Sequence, residues 1–332
     1  MKLGYEMLTR SGRSFWEVTS VMQNSIRKGE YEIAGHCVWE LLPKYEAYLR
    51  KRFLVISAED CYGIITKEIA NLCRTEGDIN VQRALSLLCR AKKNRDADYF
   101  VCNLMRGSVL DINKENLAVN LTDAIRKRDV KAAGWYSHVL FKKNRKYLWA
   151  TLEEIADEYM PFLSSEFRAL HVANETVTKP TTETIFAAKA IVLMMTQKDS
   201  EEGYLACPEI PFEGVMPCDQ VDIIKPVDSC MRVDGLFPEW AYNWHTYYGK
   251  YKLKRDAVHA ISNDQKLLTP LEENLFDDCT WNNDINACLE KWNPRRIRIP
   301  YDDGKRDPTE KFPGTDELFE LKPQAEQLSI FD

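Results

Sequence analysis

The sequence lacks an apolar segment long enough to cross a membrane, which takes roughly 20 residues in a helix. Its longest apolar stretch, residues 185–195, is interrupted by Lys189. The first ten residues, MKLGYEMLTR, have no apolar core of the kind that secretion signals carry. These absences argue against a membrane protein and predict that the protein works in the cytoplasm.

Recognisable cofactor and metal motifs are missing as well. None of the 14 glycines begins G-x-x-x-x-G-K-[ST], and G-x-G-x-x-G does not occur. The five histidines include no pair three to five residues apart, and the ten cysteines form no C-x-x-C pair. We therefore predict no cofactor, no metal and no catalytic residue. Cys37, Cys73 and Cys89 lie in apolar patterns and are expected to be reduced thiols that pack as small hydrophobes.

The net charge of −6 conceals an uneven distribution. Residues 1–150 hold 26 Lys and Arg against 17 Asp and Glu, whereas residues 151–332 hold 19 against 34. A basic front half suits contact with a phosphate backbone, and an acidic back half does not. The charge distribution alone leaves contact with DNA open.

An internal repeat is the strongest positive feature of the sequence. SIRKGEYEIAGHCVWELL (25–42) returns as AIRKRDVKAAGWYSHVLF (124–141), 99 residues later. Residues 22–59 and their counterparts share 11 identities over 38 positions. Residues 84–100 also resemble residues 189–205, now shifted by 105. The pattern predicts two tandem copies of one helical unit.

Each copy has the apolar spacing of amphipathic helices. Ser14 and Glu17 form a capping-box signature before the first helix, Gly29 marks the turn after it, and Pro43 ends the second helix. Helices are expected near 64–74, 80–91 and 95–106, and near 115–127, 130–141, 145–160, 164–176 and 182–196. The prediction is an all-α fold with four regions. They are repeat one (1–110), repeat two (111–206), an irregular, Pro-rich covering segment (207–292) and a flexible polar tail (293–332).

Two neighbouring acids, Glu59 and Asp60 in SAEDCYG (57–63), are the best candidates for chemistry. They could bind a metal or act as general acid and base. Alternatively, they cap a helix or pair with nearby Arg50, Lys51 and Arg52. We favour pairing, because the second copy keeps only Glu158.

Basic and aromatic residues suggest where nucleic acid could bind. In residues 238–256, rings alternate with cations, a pattern that suits stacking on single-stranded bases. The alternative is that these rings fill gaps on the helical core. The candidates for nucleic-acid contact are Arg27, Lys28, Arg126, Lys127, Trp240, Trp244, Tyr248, Lys250, Lys252, Lys254 and Arg255.

The first copy resembles the C-terminal, collar-forming helical region of the RarA/MgsA family, which is related to clamp loaders. The resemblance rests on Ser25-Ile26-Arg27, Ala58-Glu59-Asp60, Gly63 and Arg90-Ala91-Lys92-Lys93. SAED in place of ASED, and Cys61-Tyr62 before Gly63, depart from the family pattern. Full-length members are tetrameric ATPases at stalled replication forks, and similar stand-alone proteins occur in bacteriophages. The resemblance therefore implies a collar-like protein without the ATPase module, which could form a homodimer.

The last residues, Gln327-Leu328-Ser329-Ile330-Phe331, are similar to the peptide that binds the bacterial DNA polymerase sliding clamp. Such a peptide fills a preformed pocket with its apolar side chains. We expect a non-enzymatic accessory factor of DNA replication or recombination that docks on the clamp and contacts DNA. Two alternatives stay open, an inhibitor of a host replisome protein and a nucleic-acid-processing enzyme that uses Glu59 and Asp60.

Overall fold

The computed structural model confirms an all-α fold. It describes residues 7–61, 65–74, 77–91, 93–101, 116–177, 180–196, 224–227, 237–238 and 241–243. Eleven helices and one short 3₁₀ turn occur in these ranges, together with two isolated β-bridges, Leu8–Ser14 and Cys61–Lys93. No helix in the described ranges is long and apolar enough to span a bilayer.

We call residues 15–90 the first unit. Its helices are α1 (Phe15–Lys28), α2 (Tyr31–Leu41), α3 (Glu46–Glu59), α4 (Thr66–Arg74) and α5 (Asp78–Arg90). A short helix, α6 (Asp96–Tyr99), follows. The second unit is residues 117–196, with α7 (Leu117–Arg126), α8 (Val130–Lys143), α9 (Arg145–Tyr159), α10 (Ser164–Thr176) and α11 (Pro180–Thr196).

The boundaries of the helices agree with the apolar spacing of the sequence to within a few residues, except that α6 is shorter than the helix expected near 95–106, of which residues 102–106 lie outside the described residues. α2 and α8 begin 99 residues apart, and so do α3 and α9. In both units the first helix packs on the second, the third on the fourth, and the fourth on the fifth. This parallel supports the interpretation of a tandem duplication, which stays a prediction.

The ends of α1 show how local sequence sets the boundaries. Gly29 ends α1 in the left-handed conformation with φ of 75°, and its N–H bonds to Ile26 and Ser25 carbonyls. A Cβ on Gly29 would lie 3.2 Å from the Cys89 carbonyl oxygen, so both backbone and space favour glycine. At the other end, the capping-box prediction is wrong in detail. The Ser14 side chain makes no capping hydrogen bond, and Glu17 instead accepts a hydrogen bond from Tyr242.

One apolar core runs through both units. It contains residues from α1 to α11 and also Phe237, Ala241 and Tyr242. α4 packs on α10 and α3 packs on α11, so the units share an interface. At that interface Lys67 Nζ lies 3.0 Å from Glu166 Oε1.

The cysteines pack as predicted for small hydrophobic side chains. Cys37 and Cys89 are buried, Cys73 is half-buried, and all three are free thiols. Burial raises the pKa of Cys89 to about 12 and that of Cys73 to about 11. A thiol with a raised pKa is rarely ionised at neutral pH and is a poor nucleophile.

Candidate functional site

Asp60, the second of the two candidate acids, is enclosed by arginine side chains. Arg27 Nε donates to Asp60 Oδ1 at 2.9 Å, and Arg27 Nη2 donates to Oδ2 at 3.3 Å. Arg95 Nε lies 3.3 Å from the same Oδ1. The side chains of Arg27 and Asp60 have no exposed surface. Both carboxylate oxygens are therefore engaged inside the protein.

Glu59 belongs to the same cluster but lies closer to the surface. Its carboxylate is 3.4 Å from Arg52 Nη2 and 3.6 Å from Arg95 Nη2. Arg95 also pairs with Asp98 in the next helix. Three arginines thus face three carboxylates, and this balance is what a low-dielectric interior requires.

The two acids have opposite pKa shifts. Burial opposes ionisation of Asp60, but the charges of Arg27 and then Arg95 outweigh it and hold its pKa below the usual range. Burial, followed by the negative charge of Asp60, raises the pKa of Glu59. Neighbouring acids with divergent pKa values can act as an acid–base pair when a substrate reaches them. Here Asp60 is out of reach, so the arrangement favours a structural role that ties α1, α3 and α6 together.

This outcome agrees with the pairing that the sequence favoured, with one of the three named partners right and two wrong. Arg52 does pair with Glu59. Arg50 instead bonds to Glu46, with its Nε 3.0 Å from Glu46 Oε1, and Lys51 is exposed. Sequence reasoning missed Arg95 as a partner, because no local pattern connects it to Asp60, 35 residues earlier.

A short piece of the covering segment lies on α1 and completes the cluster. Tyr242 Oη donates to Glu17 Oε1 at 2.8 Å, in a buried position. Asn243 N donates to Ser20 Oγ at 3.1 Å, and Asn243 Nδ2 donates to Gln23 Oε1 at 2.8 Å. The Asn243 amide oxygen accepts from Arg27 Nη1 at 3.2 Å. Polar side chains along one side of α1 are thus covered and hydrogen-bonded.

Lys189, the charge that interrupts the apolar stretch of α11, is buried at the interface between the units. Its Nζ donates to the Cys61 carbonyl oxygen, next to Asp60. Burial lowers the pKa of Lys189 to about 8. A lysine of this kind exchanges its proton near physiological pH, but its hydrogen-bond acceptor among the described residues is a backbone carbonyl.

The four described candidates for nucleic-acid contact occupy different environments. Arg27 is buried, so its prediction as a DNA contact is corrected, because its guanidinium is held by Asp60 and Asn243. Lys28 is half-buried. Arg126 is exposed with its Cζ 4.8 Å from the centre of the Tyr159 ring, and Lys127 Nζ lies 3.7 Å from Asp123.

The other predicted contact residues lie outside the described residues. They are Trp240, Trp244, Tyr248, Lys250, Lys252, Lys254, Arg255 and the clamp-binding-like peptide Gln327, Leu328, Ser329, Ile330 and Phe331.

Sequence reasoning overlooked a second group of exposed cations at the junction of α8 and α9. We call it the basic turn, and it consists of Lys142, Lys143, Arg145 and Lys146, all of which are exposed. The signal was present in the sequence as KKNRK, four cations within five residues.

Among the residues that the structure describes, no group of three or more His, Cys, Asp or Glu side chains is arranged to hold a metal ion. Comparison with protein-family models, with curated proteins and with solved structures finds no match for the chain. The resemblance to the RarA/MgsA family therefore stays a prediction that rests on its residues alone.

Proposed function

We propose that this protein is a non-enzymatic accessory factor of DNA replication or recombination that docks on the bacterial sliding clamp. The observation that carries the proposal is the sequence Gln327-Leu328-Ser329-Ile330-Phe331. It combines a glutamine, which can set register by hydrogen bonds, with three large apolar side chains spaced to enter a preformed pocket. The polar, Pro-containing composition of residues 293–326 suits a tether for such a peptide.

The contacts of the helical units support a scaffold more than an enzyme. The two acids that the sequence offers as the best candidates for chemistry, Glu59 and Asp60, form ion pairs with Arg27, Arg52 and Arg95. Asp60 keeps neither oxygen for a substrate or metal. Because these buried charges connect helices to one another, the helical units suit a scaffold protein, which acts by bringing partners together.

The experiment is a direct binding measurement with a purified bacterial sliding clamp. Replacing Leu328 and Phe331 by Ala removes two apolar anchors and should weaken binding by about 100-fold or more. The matched control replaces Leu318 and Phe319 by Ala, which deletes the same two kinds of side chain ten and twelve residues upstream. Calorimetry that finds equal affinities for both double variants contradicts the docking role. Circular dichroism should show unchanged helix content for both.

A reconstituted DNA synthesis assay separates an accessory factor from an inhibitor. With the clamp present, an accessory factor should leave synthesis unchanged or increase it, whereas an inhibitor slows it. In either case the effect should disappear in the Leu328→Ala, Phe331→Ala variant, because both roles use the same docking peptide.

The proposal also includes a homodimer, which the resemblance to the collar region implies. Two chains with two units each would give four collar-like units. Light scattering at micromolar concentration measures this directly, and a monomer removes the dimer from the proposal without affecting clamp docking.

A further inference from the structure

The basic turn is held in a fixed shape by the junction between two helices. α8 ends at Lys143, α9 begins at Arg145, and Asn144 alone connects them. The Asn144 amide oxygen accepts a hydrogen bond from Tyr147 N at 3.1 Å, and Asn144 N donates to the Leu140 carbonyl at 2.8 Å. Four cations are therefore presented on a rigid corner.

The three lysines of this corner are not neutralised by carboxylates within the described part of the chain. Lys142, Lys143 and Lys146 have no ion pair there. Residues 116–147 hold eight Lys and Arg but only two Asp, Asp123 and Asp129. The next acid after Asp129 is Glu153, two turns further along α9. The result is a local positive field of the kind that attracts phosphate groups.

Local stability does not account for the cations. Arg145 and Lys146 lie in the first turn of α9, where the helix dipole disfavours positive charge. Four like charges in five residues also repel one another. Two features offset part of this cost, the placement of Arg145 Cζ 5.0 Å from the Phe141 ring centre and the position of Lys142 and Lys143 at the end of α8.

The turn between α2 and α3, 99 residues earlier, shows that the fold does not need these cations. It holds Lys44 but also Glu46, and Glu46 bonds to Arg50. Lys44 Nζ donates to the Leu8 carbonyl at 3.2 Å, so the N-terminal segment occupies that corner. The corresponding connection in the first unit, which has four residues (42–45) in place of one, therefore holds one cation that is already bonded, whereas the second unit has four exposed cations.

We infer that the basic turn binds the phosphodiester backbone of nucleic acid. The inference deepens the proposed function, on which it rests for the choice among polyanions. Lys142, Lys143, Arg145 and Lys146 contact successive phosphates, and Tyr147, which is 51% exposed beside Lys146, offers a ring for base stacking. Residues 142–146 contain no apolar side chain that could enter a lipid bilayer, which favours nucleic acid over a membrane surface.

The test variant replaces Lys142, Lys143, Arg145 and Lys146 by Gln and keeps Asn144. Gln has a helix propensity close to those of Lys and Arg, so the helices should be retained. The control variant removes four exposed cations elsewhere by replacement with Gln. Its positions are Lys44, Lys51, Arg74 and Arg168.

Fluorescence anisotropy measures binding of the full-length protein to a duplex DNA, a single-stranded DNA and a single-stranded RNA of equal length. The basic-turn variant should bind at least about tenfold more weakly at low salt, and the control should bind like the wild type. On duplex DNA, the slope of log K against log salt should lose about three to four units, one for each phosphate contact. If the wild-type protein binds single strands more tightly than duplex DNA and Tyr147→Ala removes this difference, the Tyr147 ring stacks on bases.

Three outcomes overturn the inference. They are an unchanged affinity in the basic-turn variant, an equal loss in the control variant, and no nucleic-acid binding by the wild type at low salt. The inference is also overturned if the basic-turn variant keeps its affinity for nucleic acid and instead loses binding to phosphatidylserine vesicles or to the clamp. A melting temperature well below that of the wild type would assign the cations to folding.

Clamp docking and nucleic-acid binding can be tested independently of each other. The Leu328→Ala, Phe331→Ala variant should keep nucleic-acid binding while losing the clamp, and the basic-turn variant should keep clamp affinity. If nucleic-acid binding fails and clamp binding persists, only the present inference is lost.

Discussion

The two units place an arginine at the same position and use it in opposite ways. Arg27 and Arg126 lie 99 residues apart near the ends of α1 and α7, and Asp60 and Tyr159 are also 99 residues apart. In the first unit the guanidinium is buried and bonds to Asp60 at 2.9 Å. In the second unit it is exposed, with its Cζ 4.8 Å from the Tyr159 ring centre. One position thus supports either a buried ion pair or a surface cation–π contact.

The difference extends beyond this pair. The first unit turns Arg27 and Asp60 inward, and Arg95, which follows the unit, joins them there, where each charge needs a partner. The second unit leaves the basic turn exposed to solvent. The helical framework therefore tolerates both arrangements, buried charges that pair inside the first unit and an exposed cationic surface on the second.

The largest expected effect on stability comes from removing the buried ion pair of the first unit. Asp60→Asn keeps the shape of the side chain but removes the buried carboxylate that faces Arg27 and Arg95. We expect a loss of about 3–5 kcal/mol in the free energy of unfolding, measured by urea denaturation. The matched change in the second unit, Tyr159→Leu, should cost about 1 kcal/mol or less. Equal losses for the two variants would contradict the contrast between the units.

The helices could be predicted from sequence because their signal is local. The apolar spacing placed α8 and α9 correctly, and Gly29 and Pro43 lie where α1 and α2 end. The partners of Arg27 could not be predicted, because Asp60 is 33 residues away and Asn243 is 216 residues away. Whether an arginine in an amphipathic helix faces solvent or the core depends on segments that no periodicity connects.

In the candidate site, too, contacts between residues close in sequence could be predicted and contacts between distant residues could not. Pairing of the acids with arginine was expected from charge composition, and Arg52 was identified correctly. The burial of Lys189 was not expected, since an isolated lysine in an apolar stretch gives no sign of where its ammonium group finds an acceptor. That acceptor, the Cys61 carbonyl, belongs to the other unit.

A second prediction concerns Lys189, which by the shift of 105 corresponds to buried Ala84 in the first unit. Burial lowers its pKa to about 8, so between pH 8 and about 10 the unfolded chain binds a proton that the folded chain has released. Stability contributed by this group therefore rises with pH through that window, by up to about 3 kcal/mol. Below pH 8 both states are protonated and the dependence disappears.

Lys189→Met should remove this rise while filling the same space. Urea denaturation at several pH values between 7 and 10 compares the variant with the wild type, and tyrosine titration cancels because both proteins share it. Lys142→Met, at an exposed lysine, is the control and should keep the wild-type profile. Parallel profiles for the wild type and Lys189→Met would show that the ammonium group is better solvated than its burial indicates.

The smallest expected effect comes from building the ion pair of the first unit into the second. Tyr159→Asp places a carboxylate 99 residues after Asp60, within reach of Arg126. Because Arg126 is exposed, water and salt screen the new pair, which should contribute about 1 kcal/mol or less. The lost cation–π contact is of similar size, and an acid near the end of α9 is disfavoured by the helix dipole. Urea denaturation should therefore find a free energy of unfolding within about 1 kcal/mol of the wild type. The small contribution of the pair should shrink further as salt is added. A stabilisation of several kcal/mol that resists salt would mean that Arg126 lies in an enclosed site like that of Arg27. The two units would then differ in sequence but not in the environment that they give this arginine.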